Sequence, residues 1–536
     1  MKQFIILTVF HLLFINIGIT QKVPYNIEWS KCYGGTGDEI FNNTIITPDK
    51  GHISAGYNND KNGDVTINHG NTDAWIVKTS ETGKIQWQRS YGGSEYDDAS
   101  DIKNTNDGGY IFAGSTGSYD GDVTGQHGSG DVWVVKINSE GIIQWEKCFG
   151  GSTAEGGKSI EVTKDGGYII GGVTSSSDGD VSGYHGLMGQ GNAPDIWIIK
   201  IDSVGNLLWE QCYGGEDYDN INELLTTNDG GYLILGVTSS IDGEVIGNHG
   251  GVDAWLLKID SIGNIEWQKC YGGSDLDNLN SIYITKDNSY ILAGTTSSNN
   301  GDVSGNHGGR GSDAWIVKID SSGSIQWQKC FGGTKDDNAN KAIQTNDGGY
   351  IFIGNTVSTD GDLDSIYIGN AWIVKIDSSG SIQWQKCFGG SGQNIVKSLE
   401  LLFDGGYLFS GGVDTNDGDV VGYHYNSFSN KTYDGRIVKI SDNTLITNTP
   451  TYIYWNNNDL NIFPNPTHGT VRLETINVIQ IKIFDATGRI YISKNIDPYP
   501  TYSYNDLNIQ YLASGMYVIQ AVTNSGTILT KKLIVE

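Results

Sequence analysis

Six carboxylates and six imidazoles recur at fixed places in this chain, and their types and spacing could do chemistry. Glu39, Asp97, Glu155, Asp219, Asp277 and Asp337 each stand four residues after a Gly-Gly pair, with Asn394 in the seventh copy. His69, His127, His185, His249, His307 and His424 each follow a Gly-Asp-Val-like phrase, and the sixth copy has no His. Clustered carboxylates suit hard cations such as Ca²⁺, and imidazoles suit transition metals. Paired carboxylates at the right separation hydrolyse glycosides. The plainer alternative is that each carboxylate caps a turn by accepting backbone N–H bonds while each His is tied to a nearby Asp. Recurrence in nearly every copy favours that alternative. The Asp-Gly-Asp-Val phrase lacks the twelve-residue spacing and closing Glu of an EF-hand. The chain has no Gly-x-Ser-x-Gly, His-Glu-x-x-His, phosphate loop or Cys-x-x-Cys. No enzymatic activity and no cofactor are therefore expected, Ca²⁺ being the one cation the carboxylates could suggest.

A repeat positions these residues. The phrase Ile-x-Trp-x-x-Cys-aromatic-Gly-Gly, with minor variations, returns at Trp29, Trp87, Trp145, Trp209, Trp267, Trp327 and Trp384, at intervals of 58, 58, 64, 58, 60 and 57 residues. One period reads as four strands: residues 281–285, 290–295, 313–319 and 325–331, with a long polar loop between the second and third. Asp-Gly between apolar runs, as at Asp107-Gly108 and Asp229-Gly230, marks the first hairpin. The third strand carries Trp75, Trp133, Trp197, Trp255, Trp315 and Trp372, with Arg436 at that place in the last copy. Four-stranded units repeated radially make a β-propeller. The expected fold is all-β: a seven-bladed β-propeller over residues 21–447, followed by a small C-terminal β-sandwich.

The ends of the repeat predict how the ring closes. Residues 27–33 form a fourth strand before any first strand, and residues 436–440 form a third strand with no Trp-Cys strand after it. The N-terminal strand should therefore complete the seventh blade. Strand order then puts the Gly-Asp-Val loops and the Gly-Gly links on one face, which holds most of the length variation. Variable loops on a rigid scaffold favour binding, so the twelve acidic and imidazole residues are the candidate binding residues.

Composition narrows the partners. The formal charge of −28 disfavours nucleic acid and anionic membranes, which are bound through Lys/Arg excess. The 75 Gly against 8 Pro suit many short strands and tight turns. Each of the six Cys sits three residues after a repeat Trp, with Ser90 in the second copy. Equivalent positions in neighbouring blades usually lie beyond disulfide reach, so buried free thiols are expected. Residues 1–20, with Lys2 before an apolar run of about 16 residues, read as a signal peptide. Residues 448–459 read as a polar linker.

At these phrases the chain resembles the SBBP-type β-propeller repeat, from about residue 27 to 442; the likeness implies a fold and no defined activity. Residues 460–536 contain Phe-Pro-Asn-Pro, Ile-Phe-Asp-Ala-Thr-Gly-Arg, Gly-Met-Tyr-Val and a Lys-Lys-Leu-Ile-Val tail. This segment closely resembles the type A C-terminal sorting domain of the type IX secretion system of Bacteroidota. The resemblance implies export from a Gram-negative bacterium, the secretion machinery as a partner, and a secreted or surface-attached product. The expected function is non-catalytic binding of an extracellular glycan, protein or matrix component. The rivals are a secreted polysaccharide hydrolase or lyase and a cation-stabilised envelope protein.

Overall fold

In the computed structural model the chain divides into two compact units, Met1–Asn443 and Thr444–Glu536. The structure describes residues 25–186, 193–308, 311–363, 370–424 and 432–442 of the first, and 461–463, 470–475, 478–485, 489–495, 503–509, 512–513, 515–523 and 528–535 of the second. The expected signal peptide and linker lie outside the described residues. Those residues hold strands, turns and bends, and no helix that could cross a membrane.

The fifth sheet represents the repeat: Asp277–Ile284, Tyr290–Thr296, Asp313–Ile319 and Ile325–Phe331 are antiparallel neighbours in chain order. Its second and third strands are buried almost throughout, as their continuous apolar runs require. In the Asp-Gly turn of the second sheet, Thr105 and Gly109 close the hairpin and Gly108 takes φ +82°. Glycine adopts that angle without a Cβ clash. The turn Asp accepts the third-strand Lys: Lys136–Asp107 is 2.8 Å, and the pair recurs through Lys439–Asp404 at 3.0 Å. The Thr285 hydroxyl and then Lys318 hold Asp287 down at about 2.

Among the described residues of the first unit there are seven such four-stranded sheets. The seventh runs Tyr25–Tyr33, Asp434–Asp442, Tyr407–Val413, Asn394–Leu401, so the N-terminal strand forms its edge. Trp29 lies opposite Lys439, and Cys32 opposite Arg436. Successive first strands pack against one another, and Asn394–Leu401 returns to Glu39–Ile46.

Six of the seven first strands contain a β-bulge, as between Leu279 and Ser281. A bulge disrupts ladder pairing locally, and a side chain of the preceding sheet takes a nearby backbone N–H. Leu224 N donates to Ser159 Oγ (3.2 Å), Ile282 N to Glu223 Oε2 (2.8 Å) and Ala342 N to Ser281 Oγ (3.2 Å). Thr44 N donates to Ser398 Oγ (3.2 Å), so the seventh and first sheets share the same bond. The strand Asp277–Ile284 starts four residues before the expected 281. Its opening Asp-Asn-Leu-Asn is turn-like by residue type, and the bulge breaks its two-residue period.

The six third-strand indoles are fully buried. Each donates Nε1 to a fourth-strand Gln or Glu, as Trp255 does to Gln268 Oε1 at 2.7 Å. Fourth-strand tryptophans pack on the next sheet, Trp145 on Tyr168 at 6.0 Å and Trp29 on His52 at 5.7 Å. Large rings of this kind fill the space between stacked sheets. All six cysteines are free thiols, and burial pushes Cys32 up to about 12.

The second unit holds a three-stranded sheet (Asn461–Phe463, Thr470–Thr475, Ser503–Asn508) and a four-stranded one (Ile490–Asn495, Val478–Asp485, Gly515–Thr523, Ile528–Val535). Ile481, Ile483, Ile519 and Leu533 are among its buried core.

Candidate functional site

The acidic residues do not stand free on a loop face. Five of them open first strands, and Asp97 forms an isolated bridge with Thr116. All six are buried. Asp277 Oδ2 accepts from Gly273 N (2.6 Å) and Ser298 Oγ (2.7 Å), and its Oδ1 accepts from the Thr296 hydroxyl. Asp97, Asp219 and Asp337 take the same glycine N–H and serine bonds. Glu39 and Glu155 take the glycine bond. A Cβ on Gly92 would come within 2.4 Å of Asp97 Oδ2, which is why that link position is glycine.

Each histidine is clamped by the carboxylate that opens the third strand. The backbone N–H and Nδ1 of His249 both meet Asp253 Oδ2, at 2.8 and 2.6 Å. The same pairing joins His69 to Asp73, His127 to Asp131, His185 to Asp195, His307 to Asp313 and His424 to Asp434. These six aspartates are fully buried, and their Oδ1 atoms have no hydrogen-bond partner among the described residues. Oδ1 faces the first-strand carboxylate of the next sheet. A Cβ on Gly272 would lie 2.6 Å from Asp253 Oδ1 and 2.8 Å from Asp277 Oδ2. Burial raises Asp195 to about 6 and Glu39 to about 8, and the facing carboxylates Asp219 and Asp434 push in the same direction.

Histidine, third-strand Asp and next-sheet acid thus form one unit across a sheet junction. The sequence carries its own control. The sixth repeat has no His, has Asn370 where the others have Asp, and is followed by Asn394 in place of the acid. All three members are missing at one junction. Beside it, the buried Arg436 donates to Ser30 Oγ (3.1 Å), Asn394 Oδ1 (3.3 Å) and Asp419 O (3.1 Å). Among the described residues no three His, Cys, Asp or Glu side chains converge on one metal position.

The departures from the repeat gather elsewhere, on the first strands, which pack successively against one another. Toward the Asp-Gly turns stand Asp101, Lys103, Glu161, Glu223, Lys341 and Glu400, four carboxylates to two lysines. Lys341 reaches Glu223 at 2.6 Å from the sixth sheet to the fourth. Lys103 reaches Glu161 at 3.0 Å and Asp101 at 3.4 Å. Burial raises Glu400 to about 7 against the pull of Lys341 and Lys103. Nearer the Gly-Gly links, the bulge residues are Asn42, Lys158, Asn222, Asn280, Asn340 and Lys397, with Ser100 at that place in the second sheet. Sequence reasoning passed over all of these. The available signal was subtraction: the charged residues among them stand at first-strand positions that differ between repeats.

Residues 461–536 match the family model of the secretion system C-terminal sorting domain, so the second unit is a type IX sorting domain that marks the chain for export. No curated protein matches the chain. Solved structures similar in part are Sqt1 from Chaetomium thermophilum, a quinohemoprotein alcohol dehydrogenase from Pseudomonas putida HK5, and a putative gluconolactonase. Sqt1 has TM-score 0.39 and 10% identity, over 78% of this chain and 99% of that one. The dehydrogenase has TM-score 0.40 and 9% identity, over 83% and 79%. The lactonase has TM-score 0.31 and 10% identity, over 67% and 93%. Likenesses this distant carry nothing about activity.

Proposed function

We propose that the first unit is a seven-bladed β-propeller of SBBP type, closed by its N-terminal strand, which binds an extracellular glycan, protein or matrix component without turnover. Export through the type IX route places it outside the cell, secreted or held at the surface. One observation carries the binding reading: the recurring acids and histidines are spent on bonds within the junctions, whereas the charges that differ between repeats gather on the first strands, where Glu223 also accepts from Ile282 N. A scaffold repeats its parts, and a recognition surface departs from them.

The test is a glycan array and pull-down with the full chain, alongside the double variant Glu223→Gln/Lys341→Gln. Binding without product release, weakened in the double variant, is the expected result. Release of reducing ends from polysaccharide, abolished by Asp219→Ala or Asp277→Ala in a still-folded protein, would establish the hydrolase reading instead.

A further inference from the structure

In the proposed propeller the bulge residues of the first strands form a ring at one level of the central lumen, because each occupies the same register position of its sheet. In five sheets this residue is neutral: Asn42, Ser100, Asn222, Asn280 and Asn340. The four asparagines spend their Nδ2 groups on the next sheet's backbone, Asn42 on Ala99 O (3.1 Å), Asn222 on Leu279 O (2.9 Å), Asn280 on Ala339 O (2.9 Å) and Asn340 on Val396 O (2.7 Å). The third and seventh sheets break the ring with Lys158 and Lys397, both exposed. Those sheets are not neighbours, and both lysines stand at the bulge position of their first strands.

Neither lysine makes an ion pair among the described residues. The protein crowding around its ammonium, and then the charge of Lys158, depresses Lys397 below the usual lysine value. The charge of Lys158 also bears on the carboxylate of Asp98. It is only 8% exposed, and its oxygens are held by Ser115 N (2.7 Å) and the Ser100 hydroxyl (3.4 Å). The pair is therefore a cationic level inside a strongly acidic protein. Three residues further along their strands lie Glu161 and Glu400, with Glu223 one residue beyond Asn222.

We propose that Lys158 and Lys397 bind the acidic group, carboxylate or sulfate, of an acidic oligosaccharide entering the lumen from the Gly-Gly link side. Two ammonium groups supply charge-assisted bonds. The side-chain oxygens of Asn42, Asn222 and Asn340 offer acceptors for sugar hydroxyls. The carboxylates of Glu161 and Glu400 beyond repel a second anion, so the acidic group halts at the lysines. This inference rests on the binding reading above and names its ligand class.

Calorimetric titration of the full chain with trigalacturonate, its neutral methyl ester and inorganic sulfate tests it. Trigalacturonate should bind at least about tenfold more tightly than the ester, the difference of about 1.4 kcal/mol expected for one good charged contact. Lys158→Gln/Lys397→Gln should remove that preference, while Lys84→Gln, an exposed turn lysine, should keep it. Lysine-dependent binding of sulfate as well would extend the site to sulfated sugars. If acid and ester bind alike, the anion assignment fails while lumen binding survives. If neither trigalacturonate nor sulfate binds in a way that depends on the two lysines, the proposal is overturned.

Discussion

At the scale of single residues, the junction units make a pH prediction with a definite sign. Asp195 is raised to about 6 and Glu39 to about 8, in each case chiefly by burial. A carboxyl whose folded value lies above its unfolded value stabilises most below the unfolded value, about 4 for these groups. That stabilisation is lost as pH rises through the folded value. His424, held up by its Asp434 bond, acts in the same direction. The melting temperature should fall between pH 5 and pH 8.5, and Glu39→Gln should flatten part of that slope. A melting temperature that climbs over the same range would show these carboxyls ionised without cost. Replacing Asp253 by Ala removes the acceptor for two His249 bonds and should destabilise by about 1–3 kcal/mol, read by urea unfolding. The acids and histidines were legible as recurring residues, and their plain reading as turn and loop ties is the arrangement found. Their partners were not legible as site members, because Asp253 and its equivalents sit inside the Asp-Ala-Trp strand phrase and read as strand openings.

At the scale of strands and sheets, hydrophobic period and turn chemistry spoke clearly. The Asp-Gly hairpins, the apolar second strands and the Trp-bearing third strands stand where the pattern put them. The first strands did not. Their bulge and their run of Asp, Asn and Ser obscure a two-residue period, so the strand richest in repeat-breaking charges read partly as link. Removing a third-strand indole opens a cavity at the centre of a sheet stack. Trp255→Ala should cost about 3–5 kcal/mol, whereas Arg436→Trp tests the exceptional sheet. Arg436 is buried and spends its guanidinium on Ser30, Asn394 and Asp419 O. Indole cannot replace those bonds, so the variant should melt lower than wild type even though it restores the repeat. A higher melting point would mean that those bonds contribute little.

At the scale of the whole molecule, the repeat explains both the extent of the fold and the silence of most of its conspicuous residues. Tyr25–Tyr33 is the edge of the seventh sheet, and Thr44 meets Ser398 across the same junction. Deleting residues 25–33 should therefore destabilise the first unit as a whole, lowering its melting transition and not merely fraying one end. The C-terminal sorting domain accounts for export. Under the proposed function, repeated residues hold the sheets together and repeat-breaking residues of the first strands recognise the ligand. The most direct test of that reading pairs affinity for the strongest array ligand with melting temperature for two variants of the full chain. His249→Ala should lower the melting temperature and leave affinity within about twofold, while Glu223→Gln/Lys341→Gln should weaken affinity at least about tenfold, the usual cost of losing a charged anchor. Affinity that follows His249 and ignores Glu223 and Lys341 would contradict the account.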